Sequence, residues 1–443
     1  MSFELVKLKN ENHHKDKIIF TSVIGIFIVL GIGSFIATSF YSVDYKFADT
    51  MYKSMKYKIF RGWEAYTIMD GNVGVITCLI LMFLVLFESY VLFIARHHPG
   101  HWFAQWRNHR IWFYVVGFVV IVAIEVPVMM KVCFANYGFG KKFDWILLIG
   151  SDYQIPIFIV SLVLQWSFYW FMAYMMLTKI AKTDLFLDDH YWRRALILVV
   201  MLAFNYIIIL IFKPGFGRVY YFNINWQTIF DSDFNLNAPE NIARKAFYLN
   251  QTQFQYGYTF LDGNSDLLTS TPNKAIYNIP PEITQPWYKA RGFFGSRYVG
   301  TRGTTIDGAY IPGDYGMLPK SDAFPSGHTA ATIFIGSTIW VFAKPNLKIK
   351  KNRKYIYIAF VIAIIYLLDM MFALVSSSGH WWSDMAFQLF MMPVWFILAY
   401  LLCDKVLFKL CSWFGYNYVK KISYKDERDT VNKENKKAKK ISK

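Results

Sequence analysis

Long apolar runs dominate this chain and restrict what it can fold into. Runs of about 18 or more apolar residues with few charges are typical of helices that cross a lipid bilayer. Lipid offers no partner to backbone N–H and C=O groups, so such runs form α-helices. The sequence therefore predicts an all-α polytopic membrane protein with about eight transmembrane helices. We expect them near Ile18–Phe40, Val73–Ala95, Ile111–Met130, Ile155–Leu177, Ala195–Phe212, Thr329–Phe342, Tyr355–Val375 and Met385–Leu402. The sixth run is short, and its helix is expected to begin just before Thr329.

The basic residues predict the orientation of these helices. The chain carries a formal net charge of +17. Cytoplasmic loops are enriched in Lys and Arg, and a cytoplasmic N-terminus would put most of this charge on one side. The sequence therefore predicts a multi-pass cell-membrane protein with N- and C-termini in the cytoplasm. Because the basic residues flank membrane spans, we expect them to contact membrane lipids rather than nucleic acid.

The runs divide the chain into five regions. Residues 1–110 hold an N-terminal cytoplasmic segment and two transmembrane helices, and residues 111–213 hold three more. Residues 214–324 form a long extracytoplasmic loop or small domain. Residues 325–405 contain the last three helices, and residues 406–443 form a basic cytoplasmic tail. A connection as long as 214–324 is usually functional or disordered, and we expect a lid or a substrate-recognition element.

Two histidines begin or precede apolar spans on the expected outer side. His328 lies in Pro325-Ser326-Gly327-His328, and His380 stands four residues before Asp384. The 51 residues between the two histidines fit one helical hairpin, which returns both to the same membrane face. Glycine at a helix N-terminus lets backbone amides approach an anion. A carboxylate that binds one imidazole nitrogen leaves the other free to attack. Such a pair could transfer a phosphoryl group without a metal ion.

Two cations follow the fifth span on the same expected side, Lys213 and Arg218. Cations at a membrane boundary often only extend toward the interface, and alone that is the better interpretation. Together with the histidines they would supply positive charge for phosphoryl oxygens.

In their order, these motifs resemble the type 2 phosphatidic-acid phosphatase superfamily over roughly residues 195–405. The resemblance implies a six-helix membrane core and no metal ion or other cofactor. It implies that His380 is the nucleophile, Asp384 its partner and His328 the general acid. Lys213, Arg218, Ser326 and Gly327 would bind the substrate phosphate.

The sequence departs from this family at two phosphate-binding arginines. Tyr220 and Leu374 occupy positions where the family usually has arginine. Lost cations at a phosphoryl site lower the rate by orders of magnitude. Arg291, Arg297 or Arg302 in the outer loop could fold back as substitutes.

The leading hypothesis is a membrane phosphatase that hydrolyses a lipid phosphate or pyrophosphate through a phosphohistidine. Alternatives are a headgroup phosphotransferase and a non-catalytic descendant that binds a lipid or a partner. A transporter is a further alternative, which rests on the intramembrane acids Glu88, Glu125 and Asp369. Those acids could instead hydrogen-bond within the bundle. The sequence does not predict the oligomeric state.

Overall fold

The structure is a computed structural model that describes residues 21–134, 154–180, 191–216, 218, 304–306, 309–311, 323–342, 350–377 and 379–403. Over this part of the chain the helices are α1 (Thr21–Thr38), α2 (Tyr41–Tyr52), α3 (Lys58–His97), α4 (Arg110–Phe134), α5 (Gln154–Met175), α6 (Tyr191–Phe216), α7 (Gly327–Phe342), α8 (Lys350–Ser376) and α9 (Trp382–Leu402). Short 3₁₀-helices span Lys53–Lys56 and Trp102–His109, and a π-helical turn follows α5 at Met176–Ile180. Strands β1 (Thr304–Ile306) and β2 (Ala309–Ile311) form a small antiparallel hairpin.

The helices confirm the prediction of an all-α polytopic membrane protein. Seven of the described helices are long and apolar enough to cross a membrane: α1, α3, α4, α5, α6, α8 and α9. The sixth predicted span forms α7, which begins at Gly327, as expected just before Thr329, and has 16 residues. A helix that crosses a bilayer usually needs about 20 residues, so α7 is short for a complete span. It packs against α3, α6 and α8.

Helix α3 begins 15 residues before the predicted start at Val73. Polar residues in its first turns, including Arg61 and Glu64, lower the hydropathy there, but both side chains are buried. On this stretch Trp63 Nε1 and Thr67 Oγ1 donate to the two carboxylate oxygens of Asp369 on α8, at 2.9 and 2.7 Å. The polar residues join α3 to its neighbour, which is why a hydropathy window misses this part of the helix.

Two other intramembrane acids also accept hydrogen bonds from neighbouring helices. Glu125 is fully buried on α4 and accepts from Thr77 of α3 at 2.6 Å and from Trp166 of α5 at 3.2 Å. Glu88 accepts from the Tyr114 hydroxyl at 3.0 Å. These contacts match the expectation that such acids hydrogen-bond within the bundle.

The N-terminal helices α1 and α2 pack against the last helices of the bundle. Gly31 of α1 packs so closely on α9 that a β-carbon there would lie 2.9 Å from Cβ of Leu389. Helix α2 was not predicted as a separate helix. It has a buried face at Asp44, Ala48 and Tyr52, spaced three to four residues apart as in a helix packed on one side. That face lies against the neighbouring ends of α8 and α9.

Candidate active site

The start of α7 forms one wall of the site. Ser326 is buried, and its Oγ accepts from the backbone N–H of Thr329 at 3.3 Å, as an N-cap residue does. The backbone N–H of Ser326 donates to the carbonyl of Asp384 at 3.2 Å, which joins this helix start to α9. A β-carbon on Gly327 would meet no atom of the described residues within 4 Å, so there is open space beside the first helical N–H groups. Unpaired amides and the helix dipole favour an anion there.

The two histidines face each other at this helix start. The ring centroids of His328 and His380 are 6.2 Å apart, with an angle of 69° between the ring planes. Nε2 of His328 is buried and has no hydrogen-bond partner among the described residues. Buried polar atoms are nearly always paired, so this nitrogen is the type of atom that a bound ligand would satisfy.

Asp384 holds His380 through its carboxylate. Oδ2 of Asp384 lies 3.1 Å from Nδ1 of His380 and also accepts from the backbone N–H of Trp381 at 3.0 Å. The backbone N–H of His380 donates to the carbonyl of Leu374 at 2.9 Å. When Asp384 accepts from Nδ1–H, the other ring nitrogen, Nε2, carries the lone pair.

Burial keeps the His380 ring neutral. It lowers the pKa of His380 below the ordinary value of 6.5, although the hydrogen bond and charge of Asp384 act in the opposite direction. The positive charges of Lys213 and Arg218 lower this pKa further. A neutral imidazole is the form that can attack an electrophile.

Lys213 and Arg218 take different positions around the histidines. Lys213 lies in the last turn of α6, partly buried, and its charge acts on the His380 ring. Arg218 is 2% exposed, and its Nη1 donates to Asp384 Oδ1 at 2.6 Å and to the Ser383 hydroxyl. Its guanidinium also lies 4.5 Å from the centre of the Trp381 ring. These contacts differ from the phosphate contact that the sequence predicted for Arg218.

Asp44 is a site residue that the sequence analysis missed. It is fully buried on α2 and accepts from Arg218 Nη2 at 2.8 Å. It also accepts from the hydroxyl of Ser383 at 2.5 Å and from the backbone N–H of Ser383 at 3.3 Å. The signal in the sequence is weak: an acid four residues after the predicted end of the first span, on the membrane face predicted for both histidines.

Of the two positions where the family usually has arginine, the structure describes one, Leu374. Leu374 is 2% exposed, and it contributes a backbone carbonyl to His380 but no charge. Tyr220 and the substitutes Arg291, Arg297 and Arg302 lie outside the described residues, as does almost all of the 214–324 loop. A substitute arginine from that loop stays a prediction.

Taken together, these features define a multi-pass membrane protein with a buried histidine pair, one member of which is oriented by a carboxylate. The model of the PAP2 superfamily matches residues 271–407, which include the second and third motifs but neither Lys213 nor Arg218. The match over this part of the chain supports membership in the type 2 phosphatidic-acid phosphatase superfamily. It also supports a phosphatase-type function on a lipid phosphate.

Two further comparisons, with a relative of similar length and with solved structures, add little about function. The chain is 28% identical over 400 residues to a protein of Mycoplasma capricolum subsp. capricolum that is described as uncharacterized. The alignment covers 88% of this chain and 94% of the relative. No solved structure matches the chain.

Proposed function

We propose that this protein is an integral-membrane phosphatase that hydrolyses a lipid phosphate or pyrophosphate at the outer face of the cell membrane. The observation that carries the proposal is the carboxylate-held His380 opposite Nε2 of His328, which no hydrogen-bonding group in the described part of the chain reaches. A phosphoryl group between the rings would meet a nucleophile on one side and a proton donor on the other.

The reaction has two steps on this geometry. Nε2 of His380 attacks the terminal phosphorus, and the bond from that phosphorus to the leaving oxygen breaks. This oxygen is the ester oxygen of a lipid phosphate or the bridging oxygen of a lipid pyrophosphate. His328, protonated when the phosphate binds, gives its proton to that departing oxygen. Water then attacks the phosphohistidine, His328 takes a proton from the water, and inorganic phosphate leaves. Lys213, the Ser326 hydroxyl and the amides at Gly327 bind the phosphoryl oxygens, where preorganised donors stabilise the developing charge.

Arg218 supports the nucleophile rather than the substrate in this proposal. Its Nη1 binds Asp384 Oδ1, while His380 uses Oδ2 of the same carboxylate. The guanidinium is thus on the opposite side of Asp384 from the imidazole. It pairs with Asp384, and the other oxygen of this carboxylate holds the Nδ1–H tautomer of His380.

The hydrolase proposal is tested with purified protein in detergent and a chelator. Wild type is expected to release phosphate from phosphatidate or an isoprenyl pyrophosphate, and His380→Ala to lose this release. His98→Ala is the matched control. His98 is an exposed histidine at the C-terminal end of α3, far from His380 in the sequence. Equal low release by wild type and His380→Ala across the panel would contradict the proposal.

The same assay separates hydrolysis from phosphotransfer. Lipid products are analysed by mass spectrometry with and without an added acceptor alcohol. Inorganic phosphate and the dephosphorylated lipid as the sole products support hydrolysis; that lipid is the free alcohol from phosphatidate and the monophosphate from a pyrophosphate. A phosphorylated acceptor would instead assign the protein as a headgroup phosphotransferase with the same first step.

A non-catalytic lipid-binding descendant is the second candidate, and one observation favours it. Leu374 brings no charge, and both terminal nitrogens of Arg218 are bound to carboxylates. Among the described residues this leaves Lys213 as the cation beside the histidine rings. Phosphatidate that binds wild type without conversion, and binds Lys213→Ala weakly, would support this candidate.

A further inference from the structure

The Asp44 carboxylate joins the N-terminal part of the chain to the histidine site. Asp44 is 174 residues before Arg218 and 339 before Ser383 in the sequence, and it contacts both. All three side chains are at most 2% exposed. The family match begins only at residue 271, so this contact comes from a part of the chain outside it.

Arg218 is buried between two carboxylates, which pair its two terminal nitrogens. A buried guanidinium is costly unless its donors are paired. Asp384 binds Nη1 and Asp44 binds Nη2, so each terminal nitrogen has one carboxylate partner. The Ser383 hydroxyl lies between Arg218 and Asp44 and hydrogen-bonds with both. The guanidinium is therefore held at both ends in one orientation.

We propose that Asp44 is a positioning residue, which fixes Asp384 and, through it, the His380 ring by holding Arg218 and Ser383. The inference rests on the proposed phosphatase function. Asp44 contacts Arg218 and Ser383 and is not expected to contact the phosphate, so its effect on His380 is indirect. Its loss should slow phosphoryl transfer to His380 and leave substrate binding nearly unchanged.

Asp44→Asn is the direct variant, since it keeps the shape of the side chain and removes the charge. Asp49→Asn is the matched control on the same helix. Asp49 is 35% exposed and pairs with Lys53 at 3.8 Å. Such an exposed pair contributes little to stability, so this variant should behave as wild type.

The decisive measurement is a single-turnover rate constant for formation of the phosphoenzyme, obtained by rapid quench with ³²P-labelled phosphatidate. A first-order rate constant does not depend on the fraction of active protein. Asp44→Asn is expected to lower this constant by about 10- to 100-fold, as lost supporting contacts commonly do, with KM within about twofold of wild type. A residue with a merely structural role would lower the amplitude and leave the rate constant unchanged, which would overturn the inference.

A second variant covers the case in which Asp44→Asn does not fold. Ser383→Ala removes the hydroxyl between Asp44 and Arg218 and is expected to lower the same rate constant. Where Asp44→Asn does fold, the loss in its double variant with Ser383→Ala should be smaller than the product of the single losses, because the two residues act on the same group. Full rates in Ser383→Ala would overturn the inference.

The two proposals fail in different ways. If wild type forms no phosphoenzyme and releases no phosphate, the proposed function fails and the positioning role falls with it. If wild type is active and Asp44→Asn reacts at the wild-type rate, the positioning role alone is wrong.

Discussion

His380 and His328 have similar rings but different surroundings, and their chemistry follows from that difference. His380 has a carboxylate at Nδ1, whereas Nε2 of His328 has no partner among the described residues. The first arrangement fixes a tautomer and produces a nucleophile. The second leaves a nitrogen available to exchange a proton with a bound substrate.

The lowered pKa of His380 predicts the acid limb of the pH profile. The neutral ring is the reactive form, so activity falls as His380 gains a proton. Because burial lowers this pKa below 6.5, the loss of kcat/KM on acidification should reach its half-maximal point below pH 6.5. The measurement is kcat/KM against pH for the wild type, with circular dichroism at each pH as the control for folding. A half-maximal point above pH 6.5 for this limb would contradict the assignment.

The proton-donor role of His328 predicts a dependence on the leaving group. His328→Ala should slow hydrolysis of phosphatidate by about 10²- to 10⁴-fold, the range for general-acid catalysis. It should slow p-nitrophenyl phosphate much less, because that leaving group departs as a stable anion without a proton. Both rates are measured on the same preparation. Equal losses for the two substrates would exclude His328 as the general acid.

At the scale of elements, helices α1 and α2 are as much a part of the site as the motif-bearing helices. Phe35 of α1 contacts Phe324, Phe387 and Phe390 beside the start of α7 and on α9. Helix α2 then places Asp44 against Ser383 at the start of α9. A displacement of α1 should therefore shift α2 and, with it, change the positions of the histidine rings.

Two glycines of α1 test this dependence. Gly31→Leu would push α1 away from Leu389 and the backbone of Phe390, whereas a β-carbon at Gly33 meets nothing within 4 Å among the described residues. Forced overpacking typically costs about 1–3 kcal/mol. We expect Gly31→Leu to lower both the Tm and kcat, and Gly33→Leu to change neither. Thermal unfolding and phosphate release are measured on both variants, and equal behaviour of the two would contradict the account.

The sequence predicts part of the site well for physical reasons. His380 and Asp384 are four residues apart, and helical geometry alone brings such residues together. His328 depends on one hairpin between two apolar runs, which hydropathy can locate. Asp44 and Arg218 meet only through the packing of α2 over the helix ends, and no local pattern encodes that contact. The early start of α3 was missed because its polar residues are paired inside the bundle, which hydropathy does not register.

At the scale of the whole molecule, the helices bring the N-terminal half and the motif half of the chain together at one end of the bundle. The ends of α6 and α8 and the starts of α7 and α9 meet there, and α2 packs against α8 and α9. At the opposite end of α6, Arg193 and Arg194 lie in its first turn. The positive-inside bias then predicts that the histidine end faces outward.

Cysteine accessibility tests this orientation. The described native cysteines Cys78, Cys133 and Cys403 are buried. In intact cells, a membrane-impermeant maleimide should label Asp49→Cys on α2 and should not label Gly100→Cys, which lies after the far end of α3. Gly100→Cys should react after lysis, with the unmodified chain as the control for Cys411. The reverse labelling pattern would place the site in the cytoplasm.

The central claim is that His380 carries the phosphoryl group during turnover. Purified wild type is incubated briefly with ³²P-labelled phosphatidate or isoprenyl pyrophosphate, quenched in alkali, which preserves phosphohistidine, and digested for mass spectrometry. The account predicts one labelled peptide with the phosphoryl group on His380 in wild type, and no labelled peptide in His380→Ala. Release of phosphate by wild type with no label at His380, or with label at another residue, would contradict it.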